Sequence, residues 1–434
     1  MIGRWRLAAY ALPALALSLP AIPAYVYLPT LYADRVGLAA TASILLGVRL
    51  ADVLADPLVG WLADRWGRRK ELIAVGAPIA GLGLLCLFIP GSTAGPVDLA
   101  LWALALYVGW SLVAIPYQAW GAQLATGYDA RSGIAFAREV AGLAGILAAG
   151  TLPVLVTRGG GDLAAGVAAV AWAGIAIGVP AFLLLLFAVP DPGRRAPAPI
   201  APAAVLQIIR NRPFLQLMLG WFGNGFANGL AAALFPLYLR HRLQASEADT
   251  ALALMVYFLC GILAIPGWLQ LSRRLGKHRA WCVAMLCCAA AFVWAPLLGP
   301  GGIGWFLVIC AVTGATLGAD LALPAALQAD VLDYDRWRYH TDRAGLMFAL
   351  WTVATKLAAG LAVGFGLGLL ALAGFSTDGG NGEAQLVLLA LIYGGLPVVI
   401  KLSVIGLIWR YRITARTHRA LSRRLAMRMR CADT

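Results

Sequence analysis

Charged residues are scarce in this sequence. Asp, Glu, Lys and Arg together make up only 12% of the 434 residues, whereas hydrophobic residues make up 61%. The mean hydropathy of +0.81 is that of a chain embedded in lipid and not of a water-soluble globular domain. The composition therefore excludes a soluble enzyme and a soluble nucleic-acid-binding protein.

The residues that membrane-embedded catalysis would need are also few. Only four histidines occur, and they lie in loops, at the ends of expected helices or in the C-terminal tail. The seven cysteines lack the spacing of metal ligands or of a disulfide framework. No GxxxxGK[ST] loop is present, so ATP is not the expected energy source. We expect no enzymatic activity, no organic cofactor and no metal site.

Basic residues outnumber acidic residues by 34 to 20, which gives a net charge of +14. Roughly 27 of the 34 basic residues fall in alternate short loops, at the N-terminus or in the C-terminal tail, as the positive-inside rule describes. This distribution predicts an integral protein of the bacterial cytoplasmic (inner) membrane with both termini in the cytoplasm. We expect it to contact membrane lipid and not nucleic acid.

Long apolar stretches recur along the whole chain. Each is about twenty residues or longer, so together they predict an all-α membrane protein with twelve transmembrane helices. The predicted helices cover residues 6–29, 38–63, 72–93, 98–126, 133–157, 164–189, 213–239, 249–272, 279–298, 302–333, 343–373 and 385–409.

A segment rich in proline, alanine and arginine follows the sixth predicted helix and divides the chain in two. The motif GWLADRWGRRK, which begins at Gly60, follows the second helix of the first half, and GWLQLSRRLGKHR follows the second helix of the second half. This repetition predicts two pseudo-symmetric six-helix bundles over residues 1–190 and 213–410. Residues 191–212 would form a cytoplasmic linker, and residues 411–434 a basic cytoplasmic tail.

Two carboxylates lie inside the second predicted helix. Asp52 and Asp56 are four residues apart and point to the same side of a helix, and Arg49 precedes Asp52 by three residues. Charged groups in a bilayer face a bundle interior or a water-filled cavity, usually beside opposite charges. Lys356, in the middle of another apolar stretch, needs an acidic partner for the same reason. Two acids beside one base leave one acid to bind a proton or a sodium ion, although a purely structural ion pair would use the same residues.

Several segments resemble one family of membrane carriers. The motif GWLADRWGRRK resembles the loop signature between the second and third helices of the major facilitator superfamily. RLADVLADP, SLVAIPYQAWGAQL, FAREVAGLAG and LWTVATKLAAG resemble segments of the glycoside–pentoside–hexuronide:cation symporters, the group that includes melibiose permease and the vertebrate lysolipid carriers. The resemblance implies the major facilitator fold and a cytoplasmic charge cluster that contains Asp64, Arg65 and Arg68.

The resemblance also implies roles for individual residues. The cation-binding positions match Asp52, Asp56 and Ser111, and the coupling positions match Arg49 and Lys356. Ala55 stands where melibiose permease has an asparagine, and this difference removes an oxygen ligand. Since sodium needs several oxygen ligands and a proton needs only one carboxylate, we favour H⁺ over Na⁺ as the coupling ion.

The predicted substrate site differs from a galactoside site, because the two acids that bind galactosides in melibiose permease align with Ser18 and Ala114. Aromatic faces suit sugar rings and amides suit hydroxyls, while Arg138 matches a substrate-contacting arginine of the family. Asp320, inside the tenth predicted helix, would either pair with Arg138 or bind substrate directly. The predicted substrate-binding residues are Tyr25, Trp110, Gln118, Trp120, Arg138 and Asp320.

Two further groups of polar residues have open interpretations. Asn224 and Asn228, on one face of the seventh predicted helix, would hydrogen-bond substrate or join helices. Four residues at the cytoplasmic ends of helices would form a lock that breaks as the carrier opens, or a solvated charge cluster. These four residues are Arg131, Asp330, Asp333 and Arg343.

Together these observations predict a secondary active transporter. It would move a sugar, glycoside or related polar solute with H⁺ or Na⁺ by alternating access between the two halves. A carrier of lysolipids or other amphiphiles is the alternative, because the galactoside-binding acids are missing and the first helix is apolar. The resemblance implies that the carrier works as a monomer.

Overall fold

The computed structural model describes most of the chain. The described residues are 3–20, 28–91, 94–124, 128–158, 160, 163–190, 207–208, 210–339, 343–376, 380–414, 417–418 and 420–421. All regular structure within these residues is helical. Tyr25, most of the predicted linker and residues 422–434 of the predicted tail lie outside them.

The chain divides into two compact units, and the first comprises Met1–Ala203 together with Arg338–Val353. Seven helices form most of unit 1. They are α1 (Arg4–Ser18), α2 (Leu28–Val36), α3 (Leu38–Trp66), α4 (Arg69–Phe88), α5 (Pro96–Gln123), α6 (Tyr128–Arg158) and α7 (Leu163–Ala188).

Unit 2 comprises Ala204–Trp337 together with Ala354–Thr434. Its helices are α8 (Arg212–Leu237), α9 (Glu247–Leu275), α10 (Lys277–Phe292), α11 (Ile303–Tyr339), α12 (Ala344–Leu372), α13 (Glu383–Ala390) and α14 (Leu396–Ile408). The last two residues of α11 and the first turns of α12 are assigned to unit 1. Wider π-helical turns extend α8 over Tyr238–Leu243 and join α13 to α14 over Leu391–Gly395.

Every predicted transmembrane stretch is helical in its described part, and the ends shift by a few residues. Within the described residues, nine helices are long and apolar enough to cross a membrane. The first predicted helix differs most, because α1 ends at Ser18 and the next described helix, α2, begins at Leu28. Pro20 follows the end of α1 and cannot donate the backbone hydrogen bond that a continuing helix needs.

Each of the two repeated motifs turns at a glycine with positive φ. Gly67 ends α3 in the left-handed region at φ +61°, and Gly276 separates α9 from α10 at φ +88°. Glycine adopts such angles without a steric penalty, so both turns reverse the chain within a few residues. The basic residues that follow then begin the next helix in each unit.

Glycines bring α4 and α5 close together in unit 1. A Cβ atom on Gly109 would lie 2.5 Å from the backbone nitrogen of Ala80, and one on Gly83 would lie 2.5 Å from that of Leu106. Small residues permit such close approach of helices in membranes. Because α5 also packs against α3, this arrangement fixes Ser111 of α5 beside the acidic face of α3.

Candidate functional site

Three buried oxygen-bearing side chains meet between α3 and α5. Asp52 and Asp56 are 1% and 0% exposed, and Ser111 is 3% exposed. The Ser111 Oγ lies 3.2 Å from Asp52 Oδ1 and 2.6 Å from Asp56 Oδ1. The structure thus brings together the three residues that the sequence assigns to the cation site.

The chemistry of Ser111 restricts the protonation of this group. A hydroxyl has one hydrogen, so Ser111 can donate to only one of the two carboxylates at a time. The second Ser111–carboxylate contact is favourable when that carboxyl carries a proton and donates it to Oγ, or when a cation lies between the oxygens.

The predicted coupling residues lie in different units. Arg49 is one helical turn before Asp52, and its guanidinium carbon lies 4.2 Å from the centroid of the Tyr107 ring on α5. Lys356 lies on the part of α12 that belongs to unit 2, where it is partly buried. Arg49 therefore places a positive charge at the helix interface that holds the two acids.

Unit 2 contains a second buried charged group, centred on Asp320 of α11. The Lys401 Nζ on α14 donates to Asp320 Oδ2 at 3.1 Å and to Asn224 Oδ1 at 2.6 Å. The Trp281 Nε1 donates to Asp320 Oδ1 at 2.9 Å, and the Asn228 Nδ2 lies 3.3 Å from Asp320 Oδ2. Both carboxylate oxygens of Asp320 are therefore hydrogen-bonded to side chains of α8, α10 and α14.

These contacts correct the sequence-based expectation for Asp320. The sequence suggested Arg138 or the substrate as its partner, whereas the structure pairs it with Lys401 inside unit 2. Lys401 also lies within a predicted apolar stretch, but sequence reasoning gave it no role, although a lysine in an apolar helix needs an acidic partner wherever it occurs. Asn224 and Asn228 join helices in this cluster, which is one of the two interpretations that the sequence left open.

The other predicted substrate residues that the structure describes differ in their burial and in their hydrogen-bond partners. Arg138 donates from Nε to Glu139 Oε1 at 3.0 Å and is half-buried, as is Gln118. Trp120 is fully buried and its Nε1 donates to the carbonyl of Pro190 at 3.1 Å, so it packs inside unit 1. Trp110 lines an apolar cavity of the same unit. The expectation that Trp120 contacts substrate does not fit its burial, because the ring faces that would stack on a sugar are covered by unit 1.

Asp64 of the GWLADRWGRRK motif binds the start of α12. Its Oδ1 accepts from the backbone nitrogen of Gly345 at 2.6 Å and its Oδ2 accepts from that of Leu346 at 2.7 Å. The first amides of a helix have no partner within the helix, and the helix dipole favours a negative charge there. The carboxylate of Asp64 therefore caps α12 and ties α3 to it within unit 1.

Arg65 and Arg68 of that turn are near the surface. The guanidinium of Arg65 lies 5.0 Å from the centroid of the Trp61 ring, and Arg68 forms a 2.9 Å ion pair with Glu71. Both arginines are exposed. Exposed pairs of this kind contribute little to stability.

The four residues of the predicted lock are divided between the units, with Arg131 and Arg343 in unit 1 and Asp330 and Asp333 in unit 2. Both arginines are buried, and the guanidinium of Arg343 lies 4.8 Å from the centroid of the Tyr339 ring. The two acids belong to a buried cluster of unit 2 that the sequence did not predict.

That cluster joins the beginning of the C-terminal tail to α10 and α11. The Lys277 Nζ lies 2.6 Å from Asp330 Oδ2, and both side chains are fully buried. The His418 Nε2 lies 3.1 Å from Asp333 Oδ2 and 3.5 Å from Asp330 Oδ1. Lys277 belongs to the second repeated motif, so this motif provides an internal ion pair where the first provides a helix cap.

Among the described residues, no three or more His, Cys, Asp or Glu side chains come together in an arrangement that could hold a metal ion. The oxygens of Asp52, Asp56 and Ser111 remain the candidate ligands for a coupling ion.

Long apolar helices with charged groups buried inside each unit define a membrane transporter. The sequence pattern of the family described as "MFS/sugar transport protein" matches residues 9–415, and the chain belongs to this family. It is a secondary transporter of the major facilitator superfamily, with a small molecule as its substrate, and not an enzyme. The family and fold predicted from the sequence are thereby confirmed.

Other proteins that are similar to this chain agree with its assignment to this family. The uncharacterized symporter YjmB of Bacillus subtilis (strain 168) is 22% identical over 416 residues, which cover 91% of this chain and 89% of that protein. The glucuronide carrier protein homolog of Escherichia coli (strain K12) is 21% identical over 408 residues, which cover 89% and 88%. The crystal structure of a bacterial homologue of the iron transporter ferroportin in its outward-facing state has a TM-score of 0.72 at 16% identity, covering 94% of this chain and 100% of that one.

Proposed function

We propose that this protein is a cation-coupled symporter that carries a sugar, glycoside or related polar solute by alternating access. The buried group of Asp52, Asp56 and Ser111 carries the proposal, because two carboxylates beside one hydroxyl form a site whose charge changes when a cation binds. Binding of the cation favours the state that admits substrate, which couples the two fluxes.

We propose H⁺ as the coupling ion. The Ser111 hydroxyl bridges the two carboxyls in a geometry that suits one shared proton, and Ala55, between the acids in sequence, has no side-chain oxygen to offer a metal ion. Na⁺ is the alternative ion, and the same group of oxygens would then contribute its ligands.

A polar solute of the sugar class is the proposed substrate. A relative bears the description of a glucuronide carrier homolog, and a glucuronide combines hydroxyls with a carboxylate. The half-buried Gln118 and Arg138 of unit 1 match those groups, since an amide pairs with hydroxyls and a guanidinium with a carboxylate.

The proposal includes an orientation and an assembly. Both termini and the basic turn after α3 face the cytoplasm of a bacterial inner membrane, because basic residues concentrate on that side. The protein works as a monomer in contact with membrane lipid, and it needs no organic cofactor or resident metal besides the coupling ion.

Uptake by the purified protein in proteoliposomes tests the proposal. Labelled hexoses, glycosides, hexuronates and a lysophospholipid are each offered with a pH gradient, with a Na⁺ gradient and with neither. We expect one polar sugar or sugar acid to accumulate when the interior is alkaline. Accumulation of the lysophospholipid instead would replace the proposed substrate class, and accumulation driven only by Na⁺ would replace the proposed ion.

Variants of the acidic pair test the coupling site directly. Asp52→Asn and Asp56→Asn should each abolish accumulation while leaving the protein folded. Asp98→Asn is the matched control, because this carboxylate lies at the start of α5, where it accepts from the backbone nitrogen of Gly95 at 2.9 Å. The coupling assignment is wrong if both variants of the pair accumulate substrate as the control does.

A further inference from the structure

Unit 1 contains an apolar cavity of about 630 Å³ between α1, α4, α5 and α7. Its walls consist of aliphatic side chains, proline, small residues and aromatic rings, among them that of Trp110. Leu82, Val179 and Leu183, which belong to the wall, are about half exposed. The cavity is therefore open at an apolar rim, which suits contact with hydrocarbon.

Small residues on two facing helices create this space. Ala77, Ala80 and Gly81 line it from α4, and Gly174 and Gly178 line it from α7. At Gly83 and Gly109 the absence of a side chain lets the helix backbones touch, whereas a Cβ atom on Gly178 would meet only the Cβ of Ala16, at 3.4 Å.

Neither water nor empty space suits this apolar cavity. Buried water needs two to four polar partners, and the wall of this cavity is almost wholly apolar. An empty volume of this size would deprive the surrounding side chains of their packing contacts. A flexible hydrocarbon chain is the occupant that the bilayer itself supplies.

A positive charge lies at one end of the cavity. The Lys70 Nζ, at the start of α4, lies 2.8 Å from the carbonyl oxygen of Leu186, a residue of the cavity wall, and 5.3 Å from the centroid of the Trp120 ring. These contacts leave ammonium hydrogens for a further acceptor, since a lysine has three donors. In the proposed orientation this end faces the cytoplasmic leaflet, which carries anionic lipids.

We propose that unit 1 binds one anionic phospholipid of the bilayer, with an acyl chain in the cavity and the phosphate at Lys70. The inference goes beyond the proposed transport function, and only the choice of leaflet rests on the proposed orientation. The site can be tested on the purified full-length protein without any transported substrate, so its failure and that of the symport proposal are distinguishable.

Native mass spectrometry in a mild detergent measures the bound lipid. With equal amounts of phosphatidylglycerol and phosphatidylethanolamine, we expect one tightly retained phosphatidylglycerol on the wild-type protein. Gly178→Leu should reduce its retention at least about tenfold by filling the cavity. A Cβ atom at this position would lie 3.4 Å from the Cβ of Ala16, an ordinary contact, so the backbone accepts the change.

Two more variants distinguish binding of the lipid's acyl chain from binding of its headgroup. Lys70→Gln should lower the preference for phosphatidylglycerol by about fivefold while a phospholipid is still retained. Ala77→Leu fills the cavity from α4 and serves as an independent test in case Gly178→Leu does not fold. Gly406→Leu is the control, because Gly406 is exposed on α14 and has open space around it.

Cross-linking locates the lipid. Phosphatidylglycerol with a diazirine on its acyl chain, reconstituted in nanodiscs, should label peptides of α4 and α7 in the wild-type protein and not in the cavity-filling variants. The proposal is overturned if both filling variants keep phosphatidylglycerol as Gly406→Leu does. It is also overturned if the label spreads evenly over the lipid-facing helices, or if the wild-type protein shows no headgroup preference.

Discussion

Replacement of Lys401 by methionine tests whether Asp320 of unit 2 depends on Lys401 as its ion-pair partner. The change keeps most of the aliphatic volume of the side chain and removes its charge. It leaves Asp320, which is only 4% exposed, with the hydrogen bonds from Trp281 and Asn228 and without its ammonium partner. We expect a large loss of stability, because a buried carboxylate without its counter-charge is unfavourable.

The geometry gives the size of this loss. At the 3.1 Å separation of Nζ and Oδ2, the attraction between unit charges is about 5 kcal/mol for an effective dielectric constant of about 20. Measured costs of removing one partner of a buried pair are about 3–5 kcal/mol. At about 2–4 °C per kcal/mol for a unit of this size, the midpoint of thermal unfolding should fall by roughly 10 °C.

Buried cysteines of unit 2 can be used to follow its thermal unfolding. Cys282, which follows Trp281 in sequence, and Cys288 both lie on α10 and are buried. A fluorogenic thiol reagent will therefore react with them as unit 2 unfolds during heating in detergent. The double variant Lys401→Met/Asp320→Asn should recover most of the lost stability, because neither charge is then left alone.

Two results would refute this reasoning. A midpoint within about 2 °C of the wild-type value for Lys401→Met would mean that Asp320 does not depend on Lys401. A double variant no more stable than the single one would mean that the loss comes from packing and not from an unpaired charge. Arg273→Met, which removes an exposed arginine from α9, is the comparison for the loss of a charged side chain in a helix.

Further predictions concern unit 1. Ser111→Ala should lower the accumulation ratio of substrate in proteoliposomes while leaving equilibration down a gradient intact, because the donor that bridges the two acids is lost; an unchanged ratio would remove Ser111 from the coupling site. Ala55→Asn should make Na⁺ stimulate uptake, since it offers an amide oxygen beside the acidic face. If Na⁺ has no effect on uptake by this variant, the absence of an oxygen ligand at position 55 does not explain the choice of ion. Asp64→Ala should destabilise the start of α12 by about 0.5–2 kcal/mol, which would appear as faster hydrogen exchange at Gly345 and Leu346. Equal exchange in the wild-type protein and the variant would contradict the capping role.

The positions of the helices follow from the sequence because a bilayer demands long apolar stretches with internally satisfied backbones. The acidic pair of α3 was also predictable, since residues four apart share a helix face whatever the tertiary structure. The approach of Ser111 to that pair came from the resemblance to known symporters and not from spacing, because it depends on how α5 packs on α3.

Pairings between distant helices were not predictable from the sequence. Asp320 and Lys401 are 81 positions apart, and nothing local to either residue names the other. Trp120 illustrates the same difficulty, because an indole in an apolar helix binds a ligand or packs in a core depending on its neighbours. Glycines are equally ambiguous, since Gly109 brings two helices into contact while Gly178 lines a cavity.

The two units use their buried acids in different ways. In unit 2, Asp320 and Asp330 each face a lysine, Lys401 and Lys277, at hydrogen-bonding distance. Removal of either charge of such a pair would leave the other in a low-dielectric interior. In unit 1, Asp52 and Asp56 both lie at hydrogen-bonding distance from the one hydroxyl of Ser111, which can donate to only one of them at a time. A cation bound beside these oxygens would relieve the repulsion between two adjacent carboxylates. For this reason we propose the coupling step at α3 and α5 and expect the charges of unit 2 to stay fixed through the transport cycle.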